Sequence, residues 1–266
     1  KSTLENATAG ATVQVPVGEY TFPASSIKEG MTLKCAEGTV FQGASSLNIK
    51  GATVEGATFS NAAGTVVTST INGTFKDCVF EGSNALRWAY TGETCVFENC
   101  VFSGDVYGIH FDGGAKNAIF RNCVISGFNA IAGDITSTFE GCTFKSNGKS
   151  SYNGINLWGA ATMVNTEFEF DGSAANEWVD CIASDKSYSF TGCTINGGSA
   201  LNPDYIWSRT AGTKIVFDGV EYIYKEGEYL ASSSAAIVTN ADAFKAALAA
   251  NEAKIVLMPG TYEGTF

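Results

Sequence analysis

The chain has 266 residues, 45% of them hydrophobic and only 16% charged, with a formal net charge of −11. That acidity argues against nucleic-acid binding, which needs basic patches, and it weakens binding to anionic polysaccharide unless positive charge is local. No apolar run approaches the roughly 18 residues of a membrane-spanning helix, so no membrane span is expected.

From the N-terminus, residues 3–22 read TLENATAGATVQVPVGEYTF: a short helical stretch, a small-residue turn, an apolar strand, then Pro, Gly and Tyr. Residues 3–9 are expected as a short capping helix. Beyond residue 30 helix-period patterns nearly vanish and one phrase keeps returning. FKDCVFEG begins at Phe75, FENCVFSG at Phe97, FRNCVISG at Phe120, FEGCTFKS at Phe139 and FTGCTING at Phe190. The central cysteines, Cys78, Cys100, Cys123, Cys142 and Cys193, are spaced by 22, 23, 19 and 51 residues. The long gap has room for one more copy, MVNTEFEF, with Thr166 in the cysteine slot. VEGATFSN places Ala57 there upstream, and FDGVEYIY places Val220 there downstream.

A period near 22 is too short for paired-helix repeats or propeller blades and suits a solenoid coil. Within each copy side chains alternate, Phe97, Asn99 and Val101 against Glu98, Cys100 and Phe102, which is strand periodicity. The strands end at Gly or Asn, as turns require. Short strands at a fixed period read as a parallel β-helix of about nine or ten coils, with equivalent residues roughly 4.8 Å apart. The slot residues then form an internal ladder of small side chains. Of the eight cysteines, five fill this slot and Cys35, Cys95 and Cys181 sit in strand-like contexts. Mostly reduced, buried thiols are therefore expected rather than a disulfide framework. Zinc is disfavoured, because there is no CxxC pair and His110 is the sole histidine. A nucleophilic cysteine would have only that histidine as its base.

The strand after each slot strand supplies the candidate site. Its buried apolar column aligns as Leu86, Ile109, Ile131, Ile155, Cys181 and Ile206. One residue on, the outward column brings in His110, Asn156 and Trp207; two further on, Asp112, Asp134, Trp158 and Arg209. A column of mostly small residues, Ala85, Gly108, Ala130 and Gly154, is expected to floor a shallow trough. Asn156, Trp158, Trp207 and Arg209 could stack on and hydrogen-bond to sugar rings. Asp112 and Asp134 fall on adjacent rungs, about 5 Å apart if in register. That separation suits the nucleophile and acid of a retaining glycosidase; His110 could serve a lyase as a lone base, without an obvious partner cation. The pair could also hold Ca²⁺, though that ion needs six to eight oxygens. A solvated face with scattered aromatics accounts for the same residues without any role, so no cofactor is required. NAT at Asn6 and NGT at Asn72 fit the N-glycosylation pattern, a weak signal in an Asn/Thr-rich chain. GDVYGIHFDGG lacks the strand-to-helix context of a nucleotide site.

At the other end ADAFKAALAANE (241–252) is the best helix in the sequence, and residues 244–266 repeat the layout of residues 3–22, with Gly260/Tyr262 matching Gly18/Tyr20. Residues 1–230 are read as the β-helix with its cap, and residues 231–266 as a C-terminal cap or the start of a second, truncated β-helix. An Ala-rich helix, then a strand, then P-G-T-Y resembles the opening of pectate-lyase-like β-helix proteins. That group includes polysaccharide lyases, phage tailspikes and bacterial surface proteins. The resemblance covers the architecture of most of the chain. It implies an all-β, single-stranded, right-handed parallel β-helix, in keeping with the handedness of parallel crossovers, and a homotrimer if the chain is built like tailspikes.

The activity of that group does not carry over. In its lyases the base is usually Arg or Lys, helped by calcium or further basic residues. Here Arg87 and Arg209 lie five rungs apart, roughly 24 Å, and Arg121 is on another face. The paired aspartates and the His-Gly and Arg-x-Lys motifs of polygalacturonase-type hydrolases are missing; GIHFDGG (108–114) departs from them. The sequence therefore reads as a non-catalytic module of a secreted or surface protein, extracellular or at the cell surface, either binding a polysaccharide or surface glycan as its partner or acting as a rigid adhesin-like spacer. The opening at Lys1 fits removal of a signal peptide. The alternative is a polysaccharide lyase or glycoside hydrolase using His110, Asp112 and Asp134.

Overall fold

The computed structural model describes residues 2–43, 47–65, 72–88, 94–127, 129–146, 155–170, 179–181, 184–208, 210–231, 236–250, 255–258 and 260–265. It is a parallel β-solenoid. The first face starts with Thr12–Val15, continues through Thr32–Cys35, and reaches Lys214–Phe217 after nine successive parallel pairings. The second face begins at Gly18–Tyr20 and Thr39–Gln42 and runs to Thr194–Ile195. The third face is registered over fewer strands, from the Asn84–Trp88 segment to Ile206–Trp207. Among the described residues complete three-faced turns therefore number about five, fewer than the nine or ten expected.

The repeated phrase builds the corner between the first two faces. The residue before each slot has a left-handed backbone: Gly56, Asp77, Asn99, Asn122, Gly141, Asn165 and Gly192 all have positive φ. Gly, Asn and Asp are the residues that reach this region most easily. The choice among them is steric. A Cβ at Gly192 would lie 2.5 Å from Asn165 Oδ1, and one at Gly141 2.7 Å from Asn122 Oδ1. Where side chains follow one another they pair instead: Asn99 Nδ2 donates to Asp77 Oδ1 at 3.0 Å. The corner N–H donates forward and the N–H after the slot donates backward, as in Asn99 N to Arg121 O and Val101 N to Cys78 O, both 2.9 Å. Each bend is thus locked to both neighbouring coils.

The slot residues from Ala57 to Val220 are all buried. Their thiols use one recurring pair of acceptors. Cys100 Sγ donates to Phe75 O and Glu98 O at 3.4 Å, and Cys123 Sγ to Phe97 O at 3.5 Å and Arg121 O at 3.4 Å. Thr166 fits the same slot because its hydroxyl donates to the equivalent carbonyls, Phe139 O and Val164 O. All eight cysteines are free; seven are buried and Cys35 is half-buried. Beside the slot run two columns of rings. Phe75, Phe97, Phe120 and Phe139 stack at centroid spacings of 5.3, 4.9 and 4.8 Å. Phe59, Phe80 and Phe102 stack at 5.0 and 4.9 Å. The two columns meet edge to face. Offset-stacked and T-shaped contacts are the favoured aromatic geometries, so a single phenylalanine per strand gives the solenoid a continuous core.

Outside, the residue two before the slot forms a ladder of alternating charge: Lys34, Glu55, Lys76, Glu98, Arg121, Glu140. Ion pairs join Lys34 to Glu55 (3.5 Å), Lys76 to Glu98 (2.9 Å), and Arg121 to both Glu98 (3.4 Å) and Glu140 (2.9 Å). Each exposed pair is worth little alone, but alternation penalises a one-coil slip by putting like charges together.

The N-terminal helix is Ser2–Asn6, with Leu4 packed on the core. The ammonium of Lys28 donates to the Glu5 and Ala7 carbonyls at its end, which suits the negative end of a helix. At the far end the FDGVEYIY copy does not make another coil. Asp218 and Gly219 both have positive φ, 45° and 84°, and Val220–Lys225 folds back antiparallel on Lys214–Phe217. Two consecutive left-handed residues make the tight hairpin turn whose twist matches the strands. Glu226 and Gly227 repeat the device and add Glu228–Ala231. Beyond it, Ala236–Val238 pairs in parallel with Ile255–Leu257 as a separate two-stranded sheet, joined through the helix Ala241–Ala249. Asn240 caps that helix, its side chain accepting from Ala243 N at 2.9 Å. Among the described residues no helix is long and apolar enough to cross a membrane.

Candidate functional site on the third face

The third face holds His110, Asn156 and Trp207 in register positions, with one correction to the expected alignment. Its register column is Leu86, Ile109, Ile131, Ile155, Val179 and Ile206. Val179 holds the position expected for Cys181, which pairs with Leu157 instead. The register there slips by two residues. The first outward column consequently brings Asn156, Asp180 and Trp207 into line.

His110 stands between Arg87 and Ala132 in the ladder. It is half-buried, and its ring lies 4.7 Å from that of Tyr107, tilted by 56°. Gly104 lets the backbone close up just before this pair: a Cβ there would fall 1.8 Å from Tyr107 O, in the bulge that separates the second-face register from the third. Asn156 is 5% exposed, whereas Trp158 is 46% exposed. Alternation is broken at Ile155–Leu157, where three consecutive residues are buried. Ala85 and Gly108 are also buried, so the small-residue column is covered at those rungs rather than flooring an open trough. The backbones of Asp112 and Asp134 lie in long strands, Val101–Arg121 and Asn129–Glu140. Pairing holds through Phe111↔Gly133 and resumes two residues out of step at Ala115↔Ile135, and both aspartates fall in the slipped segment. Their side chains lie outside the described residues, as do the Trp207 side chain and all of Arg209. The calcium and paired-carboxylate readings rest on those side chains.

Three of the thiols offer little chemistry. Burial holds the Cys95 and Cys100 thiols well above their ordinary range, and pushes Cys35 up to about 12. A thiol that ionises with such difficulty is a poor nucleophile and a poor metal ligand. Among the described residues no three His, Cys, Asp or Glu side chains converge as a metal site.

What sequence reading missed is where the coils differ in length. From the ring position's outward neighbour to the start of the next first-face strand there are 11 residue steps in one coil (Ser126 to Ser137) and 19 in another (Glu169 to Tyr188). From Val54–Phe59 onward the two corner-forming positions keep a spacing of five residues, as in Phe75–Phe80, Phe97–Phe102 and Phe139–Phe144, so among those coils the variation falls on the third face and its approaches. The aligned slot residues carried this signal.

This fold, a parallel coil repeated with one buried ring per strand, defines a right-handed β-helix protein. The family described as right handed beta helix region matches residues 25–172 and, in a second alignment, residues 63–220. The chain belongs to that family. No curated protein matches it.

Proposed function

We propose that the chain is a non-catalytic, extracellular or surface-exposed β-helix module that binds a glycan along its third face. The observation that carries this reading is Trp158, a large aromatic standing 46% exposed beside the buried amide of Asn156, on the face where the central coils vary in length. Solenoids place their variable binding surfaces on one face in this way. An exposed indole offers a flat apolar plate to the C–H face of a sugar, and the charge-poor surface suits a neutral partner. Arg209 and Trp207 extend the same side by sequence position.

The test is an array of plant, algal and host polysaccharides incubated with the protein, with and without Ca²⁺, scored for retention and for product. Retention without product, weakened about tenfold or more by Trp158→Ala in a folded variant, is the expected result. Loss of one aromatic platform of ~1–3 kcal/mol corresponds to that order. Release of unsaturated uronates or new reducing ends, abolished by His110→Ala or Asp112→Asn, would replace this reading with an enzyme. Unchanged retention in Trp158→Ala would move the site elsewhere.

A further inference from the structure

The charged ladder on the first face has a symmetry that one copy of the chain does not use. Its six rungs, Lys34, Glu55, Lys76, Glu98, Arg121 and Glu140, stand each in register with the next. Uncharged Gln14 bounds the ladder on one side and Val164 on the other. The signs alternate and the count is even, so reversing the order exchanges every positive rung for a negative one. Two residues earlier in each strand stands a second outward column: Thr32, Thr53, Thr74, Val96, Ile119 and Thr138. All six are β-branched and half-buried. Such side chains are stiff at χ1, so this ridge has little rotamer freedom to lose on contact.

The face under these columns is flat. The rings directly beneath it stack nearly parallel, at 13°, 8° and 11° from Phe75 through Phe97 and Phe120 to Phe139, so the coils follow one another with little twist. Sheets that stay flat over many strands are unusual and are typically held so by stacking. Two such faces can touch along their whole length.

We propose that the first face is an interface between two copies of the chain, related by a two-fold axis that lies in the contact plane, parallel to the strands, between the Lys76 and Glu98 rungs. That rotation reverses the stack and keeps each column opposite itself. Lys76 then faces Glu98 of the second copy, Glu55 faces Arg121 and Lys34 faces Glu140, each contact occurring twice. The β-branched ridge meets its counterpart, Thr74 on Val96 and Thr53 on Ile119. Other two-fold arrangements fail on charge. An axis along the stack sets Lys76 against Lys76, and an axis through a rung instead of between two pairs like signs throughout. The contact is isologous and closes at a dimer. Eight rungs overlap, Gln14 to Val164, or about 38 Å, and a four-residue strand is about 13 Å long. The footprint is about 500 Å² per copy and about 1,000 Å² in all, the low end for a specific interface. Facing charges select orientation more than they add affinity, so the dimer is weak and salt-sensitive.

Sedimentation velocity across a dilution series at low salt tests this. The chain should pass from monomer to dimer and no further, and added salt should move the transition to higher concentration. Glu98→Lys and Lys76→Glu each set like charges opposite at the two central contacts, and each should associate about tenfold or more weakly than the parent. An equimolar mixture of the two variants restores opposite charges at both contacts and should dimerise again. Zero-length carbodiimide coupling of the unsubstituted chain gives a second reading, and it decides the matter should circular dichroism show either variant unfolded. Within one copy Lys34 and Glu140 lie five rungs apart, roughly 24 Å, too far to couple; in the dimer they face each other, and the coupled dimer should contain that linked pair. A chain monomeric at every concentration, growth beyond a dimer, folded variants that associate as the parent does, a mixture no better than its components, or a dimer without the Lys34–Glu140 link would each overturn the proposal.

Discussion

Removing one ring from the inner column tests whether stacked phenylalanines, rather than backbone ladders, hold the coils together. Phe97 is fully buried, stacked 5.3 Å from Phe75 at 13° and 4.9 Å from Phe120 at 8°. It also meets Phe102 edge-on at 5.3 Å. Phe→Ala in a core costs about 3–5 kcal/mol. A ring with stacked neighbours on both sides, each aromatic pair adding about 0.5–1.5 kcal/mol, belongs at the upper end. Phe97→Ala should therefore cost about 5 kcal/mol, a large part of the ~5–15 kcal/mol typical of a folded protein. Phe97→Leu keeps most of the volume and should cost about 1.5 kcal/mol. Guanidinium denaturation read as midpoint and slope measures both. A double-mutant cycle then separates stacking from burial. Phe97 and Phe120 should couple by about 1 kcal/mol, while Phe97 and the distant Phe217 should be additive. A cost below about 2 kcal/mol for Phe97→Ala, or equal costs for the Ala and Leu variants, would refute the ring-column account.

The thiol ladder should be silent in the native protein: thiol reagents should label few cysteines rapidly, and all eight after denaturation, whereas rapid native labelling of five or more would place the slot outside the core. Gly192→Ala forces a φ of 61° on an L side chain and a contact of 2.5 Å with Asn165 Oδ1; a loss of about 2 kcal/mol is expected, falling to about 1 in an Asn165→Gly background, and an equal loss in both would show the contact to be irrelevant. The Glu98 carboxyl is held below its ordinary range, chiefly by the hydrogen bond from Lys76 and then by Arg121. A depressed folded pKa gives stability that is complete above the ordinary carboxylate value and disappears as pH falls through the folded one. The melting temperature of Glu98→Gln should therefore lie below that of the parent at neutral pH and converge with it in acid; a constant gap across that range would count against the ladder.

The corner and the two faces beside it were legible because one chemical constraint recurs there at every coil. A left-handed residue, a small buried slot and a ring three residues earlier must coincide, and only a few residue types satisfy each position. The charge ladder was equally readable once the slots were aligned, since Glu55, Lys76, Glu98, Arg121 and Glu140 all lie two residues before a slot. The third face obeys a weaker rule, one buried apolar residue per rung. Val179 and Cys181 are two residues apart, point to the same side, and are both fully buried, so either could have filled the column. Pairing with Ile155 on one side and Ile206 on the other selects Val179. No residue within that strand encodes the choice, and the site built on this face was correspondingly harder to align.

The end of the solenoid turns on a single residue. FTGC at Phe190 and FDGV at Phe217 look like the same corner, and both place a glycine with positive φ before the slot. A coil corner uses that one left-handed residue and sends the chain onward to the second face. A hairpin needs the preceding residue left-handed too. Thr191 is β-branched and stays in its strand, Tyr188–Thr191; Asp218 tolerates the conformation and adopts it, with φ 45°. Its carboxylate then accepts from Gly192 N in the coil below, at 2.9 Å, which ties the reversed turn to the last regular corner. The chain leaves the helical path where a β-branched residue gives way to an aspartate, and the next strand lies back across the stack instead of lengthening it.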